Sequence, residues 1–275
     1  MIRRSAAAAA LALVAGIAPA QLARPAGPVR PAPCGVVLEE LTWLEAEKRL
    51  RPETVVVIPL GAAAKEHGPH LLLKNDLILA EYLKRRVVEA ADVVVAPTVT
   101  YSFYPAFVDY PGSTSLRFET ARDFIVDVVR SLSRFGPRRF YVLNTGVSTN
   151  RPLAAAAEEL RGDGLLLRYT DLLSVLGPVE KAVAKQERGT HADEIETSMI
   201  LYMEPGAADM RKAVRDDRPG SGPLSRDPGA PGHYSPSGVF GDPTLATREK
   251  GKAVTEALVA ALLREIEALR AAPPP

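Results

Sequence analysis

The 275-residue chain has one cysteine, one tryptophan and only 6% aromatic residues. A lone cysteine, Cys34, excludes an internal disulfide, so a core, a metal or association of copies must supply the stability. Neither sign of charge dominates: 34 Lys and Arg against 33 Asp and Glu leave a net charge of +1. That balance argues against nucleic acid or an anionic membrane as a partner held by bulk charge. Beyond the N-terminus no run approaches about 18 consecutive apolar residues, so no membrane span is expected. G-x-S-x-G, G-x-x-x-x-G-K-[ST] and a post-strand G-x-G-x-x-G are all missing, which leaves serine-elbow, P-loop and dinucleotide chemistry without support. What is present is a 47% hydrophobic content, enough for a sizeable core.

Arg3 and Arg4, the apolar stretch "AAAAALALVAGI" and the small residues Ala18-Pro19-Ala20 form the pattern of a signal peptide over 1–20, cleaved near Ala20. The expectation is an exported chain, periplasmic or secreted. Residues 21–36, rich in Pro and Ala, read as a linker, followed by a single domain over 37–271. Within it a first helix is expected over Leu38–Leu50. The β-branched runs "TVVVIPLG", "DVVVAPTV" and "RRFYVLNTG", and then "GLLLRYTDLL", read as strands. Helical patterns at 77–90, 118–135, "RPLAAAAEELR" and 246–271 alternate with them. Such alternation predicts an α/β fold with a mostly parallel sheet covered on both faces. Residues 205–243, dense in Gly, Pro and charge, read as a long irregular excursion, partly mobile.

In such sheets ligands gather at the carboxyl ends of the strands. "KEHGPHLLLKND" (65–76), "TYSFYP" and "NTGVSTN" follow three successive strands and should open on one edge. The first holds His67, His70 and Asp76 beside Lys65 and Glu66, and imidazole with carboxylate suits Zn, Mn or Fe. Asp76 also stands where a helix cap would. "GTHADEIETS" crowds His191, Asp193, Glu194 and Glu196 at the start of an apolar helix, where an acidic first turn would favour the dipole in any case. "DYPGSTSL" reads as a turn bent at Gly112 before a short strand, and Ser113, Thr114 and Ser115 could donate to substrate or serve the turn. Tyr104 and Asn144, from the second and third loops, complete the candidate substrate contacts together with His70. His233 falls in the proline-rich excursion and reads as solvent-side. Trp43 reads as core.

"VVVIPLGAAAKEHGPHLLLKND" resembles the signature of the creatininase (creatinine amidohydrolase) family: a strand, then E-x-H-G-x-H-L-P, and an aspartate nine residues after the first histidine. "YPGSTSLRFET", "YVLNTGVSTN", "HADEIETSMILYMEP" and "GVFGDPTLATREKG" resemble, in order, four further family segments. The resemblance implies a three-layer α/β/α sandwich, a homo-oligomer (often a hexamer), and a site with usually two divalent metals that hydrolyses amides, cyclic amides or related C–N bonds of small molecules. It implies His67 and Asp76 as metal ligands, with His191 and Glu196 in proton transfer or metal binding. Three positions depart from the pattern: Lys65 stands for the family's first glutamate, Gly146 for a histidine and Ser148 for a glutamate. The expectation is therefore one divalent metal per chain at His67, Asp76 and Glu196. Lys65 would replace the other metal, and His191 would shuttle the proton, unless Glu66 restores a ligand. Two rival readings stand beside it: a periplasmic small-molecule-binding protein that lost hydrolysis, and a metal-free enzyme with Lys65 as nucleophile or base.

Overall fold

The computed structural model describes residues 34–273; the signal-like 1–20 and most of the 21–36 linker lie outside the described residues. Five parallel strands form the central sheet: β1 (Val36–Val37), β2 (Val55–Leu60), β3 (Val94–Val95), β4 (Arg139–Asn144) and β5 (Leu166–Tyr169). Their order is β1-β3-β2-β4-β5, with Val56 opposite Phe140 and Leu60 opposite Asn144 in the central pair. All six residues of β2 are buried, as a strand covered on both faces requires.

Alternation along β2 assigns its residues to two cores. Val56, Ile58 and Leu60, with Phe140 and Val142, pack against α3 (Phe118–Ser133) and α4 (Asn150–Gly162) through Ile125, Val129, Leu153 and Leu160. Val55 and Val57, with Tyr141 and Leu143, pack against α2 (Asn75–Ala90), α5 (Leu172–Val183), α6 (Glu194–Met203) and α7 (Arg248–Arg270), through residues such as Leu83, Leu176, Met199 and Leu258. The result is an α/β/α sandwich. Each fully buried aliphatic side chain in these layers contributes roughly 1.5–3 kcal/mol relative to exposure. Among the described residues no helix is long and apolar enough to cross a membrane.

Several sequence expectations change. The linker ends earlier, because Val36 already pairs with Val94 in the sheet. The expected helix over 38–50 is split into a 3-10 turn (Leu38–Glu40) and α1 (Trp43–Arg49). Thr42 divides them: its extended backbone and reciprocal bonds with Glu45 form a capping box that starts a new helix. Trp43, expected in the core, is 74% exposed, since it opens that helix on the solvent side. "DVVVAPTV" keeps only two strand residues, because Pro97 brings no N–H to the ladder; Ala96 and Val99 still donate to Val57 and Pro59 carbonyls. The strand in "GLLLRYTDLL" stops at Tyr169, and Leu172 opens α5, whose internal Gly177 and Pro178 hide it from a propensity reading. No strand follows the Gly112 turn. The 205–243 stretch is built rather than formless, with 3-10 turns and a two-stranded parallel pair, β6 (Leu224–Ser225) and β7 (His233–Tyr234). A further backbone bridge joins Phe240 to His191.

Candidate active site

β2 and β4 are neighbours whose chains depart to opposite sides of the sheet, so the loops after them border the crevice of a topological switch point. The loop after β2 turns directly into α2. Gly61 allows the approach: a Cβ there would lie 2.4 Å from the Asp76 carbonyl oxygen. Asp76 consequently sits in the first turn of α2 but is not its cap; that position is Lys74. The Asp76 carboxylate turns instead toward the loop. Lys65 Nζ lies 2.7 Å from its Oδ2 and His67 Nε2 lies 2.8 Å from its Oδ1. The Lys65 contact is an ion pair short of hydrogen-bond alignment.

Lys65 is 4% exposed, and its ammonium also stands 4.8 Å from the Phe107 ring centre and 5.6 Å from that of Tyr104. One carboxylate and two π-faces therefore replace its water. Burial opposes charge on Asp76, but Lys65 and His67 outweigh it and hold the carboxyl well below the usual range. His67 Nδ1 faces the Lys65 carbonyl oxygen at 3.0 Å. Both ring nitrogens thus meet oxygen acceptors, while a neutral imidazole has one N–H. A ring that donates from Nδ1 leaves its Nε2 lone pair facing Asp76 Oδ1, an edge that a shared cation would bridge.

His191 is held differently. Its Nε2 meets the Glu66 carbonyl oxygen at 3.0 Å and Glu66 Oε2 at 3.1 Å. In the neutral ring these two acceptors place the N–H on Nε2 and leave Nδ1 as the lone pair, 3.8 Å from Glu196 Oε2. Burial lowers the His191 proton affinity, yet the charge and hydrogen bond of Glu66 reverse the balance, so its pKa is raised. Glu66 is shifted down: burial works against the charge, and His191 together with the Gly68 N–H prevails. The next residue, Ala192, has a left-handed backbone, φ 48°. Its N–H donates to Glu196 Oε2, which fixes that strained turn and with it the entry into α6. Asp193 caps α6 by accepting from the Ile195 and Glu196 N–H groups, so it performs the structural role an acidic first turn suggests. Burial and the nearby Glu196 push Asp193 up to about 6.

One donor atom each from His67, His191 and Glu196 lies within 4.8 Å of the others, the one such His, Cys, Asp or Glu group among the described residues. The expected trio of His67, Asp76 and Glu196 is therefore gathered with His191 in place of Asp76. The donor set fits a divalent cation: two imidazoles and a carboxylate, with the outer nitrogen of His191 bonded to Glu66 as ligating histidines usually are. A cavity of about 360 Å³ opens beside His191 and Glu196, lined also by Lys65, Tyr104, Phe107 and Phe240 but not by His67. Gly146 and Ser148 also face it, offering neither imidazole nor carboxylate.

The remaining candidates are placed as follows. Tyr104 lines the cavity with its hydroxyl buried and unpartnered among the described residues. Ser113, Thr114 and Ser115 are engaged in the loops, accepting from Glu66 N, donating to the Ala64 carbonyl, and accepting from Tyr104 N. Asn144 is committed to Gly146, Asn150 and Thr170, and Thr149 donates to it. His70 bonds Thr197 Oγ1 through Nε2 at 2.8 Å and does not line this cavity; burial lowers its pKa to about 4. Phe107 and Phe240, which the sequence reading did not name, line the cavity too, as does His233, which it placed on the solvent side. Phe107 had a signal, standing just beyond the "TYSFYP" loop, but Phe240 and His233 come from the excursion.

A parallel sheet between two helical layers, with imidazoles and carboxylates at its carboxyl edge, defines a three-layer α/β protein with an enzyme-like site. The chain belongs to the creatininase family: the model described as creatinine amidohydrolase matches residues 39–266. It is 27% identical over 243 residues to "Creatinine amidohydrolase" of Pseudomonas putida, covering 82% of this chain and 93% of that one. It is 26% identical over 256 residues to "3-dehydro-scyllo-inosose hydrolase" of Thermotoga maritima, covering 82% and 81%. Among solved structures, "Creatininase Mn" superposes with a TM-score of 0.72 at 25% identity, covering 86% of this chain and all of that one.

Proposed function

We propose that the chain is a hydrolase of an amide, cyclic amide or related C–N bond in a small molecule, working with one divalent cation (Zn, Mn or Fe) rather than two. One observation carries this reading: the Lys65 ammonium, paired with Asp76, lines the same cavity as His191 and Glu196, whose donor atoms converge with one from His67. An internal cation stands on the half of the site where the family pattern also loses its other ligands, at Gly146 and Ser148. His67, His191 and Glu196 would hold the remaining cation. When bound, it supplies carbonyl polarisation and a lowered pKa for water.

The chain's own groups have separate tasks. Glu66 fixes the His191 tautomer, which keeps the Nδ1 lone pair toward the cavity. Lys65 Nζ and the unpartnered Tyr104 hydroxyl are donors for an oxygen gaining negative charge. Glu196 commits Oε2 to the Ala192 N–H, so Oε1 is the oxygen it keeps for the cation. Phe107 and Phe240 restrict water.

The Lys65–Asp76 pair equally supports a second reading, a small-molecule-binding protein that needs no metal. Metal analysis separates the two. About one Zn, Mn or Fe per chain after reconstitution and dialysis, lost in His67→Ala, together with chelator-sensitive hydrolysis of simple amides, supports the hydrolase. No retained metal turns the assignment to the binder. The N-terminal pattern further supports export, and the family a homo-oligomer; signal cleavage near Ala20 and light scattering test these.

A further inference from the structure

His233 comes from a segment whose composition suggests solvent, yet it is 2% exposed. β7 carries it, and its N–H donates to the Pro223 carbonyl at 2.8 Å. The ring is packed by Phe240, with centroids 4.5 Å apart. Gly220 also approaches the ring, at a point where a Cβ would come within 2.5 Å of Nδ1. Nε2 is buried and has no hydrogen-bond partner among the described residues. Packing alone gives no reason for an imidazole, because phenylalanine would fill the space without desolvating a polar nitrogen. His233, Gly220 and Phe240 line the same 360 Å³ cavity as Lys65, His191 and Glu196. Phe240 is moreover paired to the His191 backbone at 2.9 and 3.3 Å, so the His233 ring is held in register with the reacting groups.

We propose that His233 is a substrate-recognition residue whose Nε2–H donates to a carbonyl of the bound molecule other than the one attacked. The inference rests on the hydrolase reading only for the substrate class, a compact cyclic amide; recognition itself needs no turnover. The favoured occupant carries two carbonyls, as a cyclic imide does, because the cavity then meets one at Lys65 and one at His233.

Glutarimide and 2-piperidone share a six-membered ring and differ by the second carbonyl, and their binding to the full chain by calorimetry tests the proposal. The expected result is about tenfold tighter binding of glutarimide, the size of one hydrogen bond to a buried donor. In His233→Phe that preference falls to within about twofold, and in His233→Gln it is partly restored. Equal binding of both probes to the wild-type chain, binding of neither, or a preference that survives in His233→Phe overturns it. Should His233→Phe not fold, His233→Gln and the wild-type nitrogen shifts of the His233 ring on adding glutarimide decide the matter: unchanged shifts overturn the proposal. Metal content plays no part in these measurements, so failure here leaves the hydrolase reading to its own test.

Discussion

At the Lys65 end of the cavity both oxygens of Asp76 are taken, Oδ2 by the Lys65 ammonium at 2.7 Å and Oδ1 by His67 Nε2 at 2.8 Å. At the His191 end, Nδ1 and the Glu196 carboxylate face each other at 3.8 Å with neither a proton donor nor an internal cation between them. The two ends lie on one sheet edge and use the same residue types. What separates them is where the chain places a cation of its own. An ammonium fixed by a carboxylate closes one end, whereas convergent lone pairs leave the other suited to an ion from outside.

Removing the carboxylate from the closed end should have the largest effect. Asp76→Ala leaves the Lys65 ammonium buried without its counter-charge and is expected to cost about 3–5 kcal/mol, read by urea denaturation. The double variant Lys65→Met with Asp76→Leu should recover most of that loss. A cost below about 1 kcal/mol for Asp76→Ala would remove the distinction between the ends.

Making the closed end resemble the open one is the next test. Lys65→Glu replaces the ammonium with a second carboxylate beside Asp76, and the metal content should rise by about one ion per chain on elemental analysis. An unchanged content would mean that Lys65 does not stand in for an ion. At the open end, Glu66→Gln removes the charge that raises the His191 pKa. Burial then prevails, and the His191 midpoint in an NMR titration should move down; an upward or absent shift contradicts the pairing.

His70, outside both ends of the cavity, serves as a reference. Its folded pKa of about 4 lies below the ordinary imidazole value of 6.5, so the unfolded chain takes up a proton that the folded chain refuses. Its contribution to stability is therefore intact above pH 6.5 and declines as pH falls toward 4. A His70→Gln variant should flatten that part of the melting-temperature profile, the smallest of these effects.

The architecture was largely legible. Valine-rich runs with polar boundaries became β2 and β4, and amphipathic repeats became α2, α3, α4 and α7. Short elements were less so: β3 is curtailed by a single proline, and α5 contains Gly177 and Pro178, residues that normally argue against a helix. In the site, Lys65, His191 and Glu196 were named in advance and line one cavity, and His67, also named, brings a donor atom within 4.8 Å of those of His191 and Glu196. Ser113, Ser115 and Asn144 were named too, but their polar atoms are spent on loop backbones and neighbouring side chains, which composition cannot foresee. His233 was misread because Gly- and Pro-rich surroundings look solvent-exposed even where they fold back over a cavity.

By itself the amino-acid sequence determined the order and type of the main elements, the two-sided burial of the central strands and the family pattern with its altered positions, since all of these are encoded in local periodicity and spacing. Only the tertiary structure decided that Lys65 would face Asp76, that Glu66 would hold His191 from 125 residues away, and that His233 would enter the cavity. Such contacts depend on how helices and loops pack across the sheet, and no local propensity specifies the side-chain neighbours that this packing brings together.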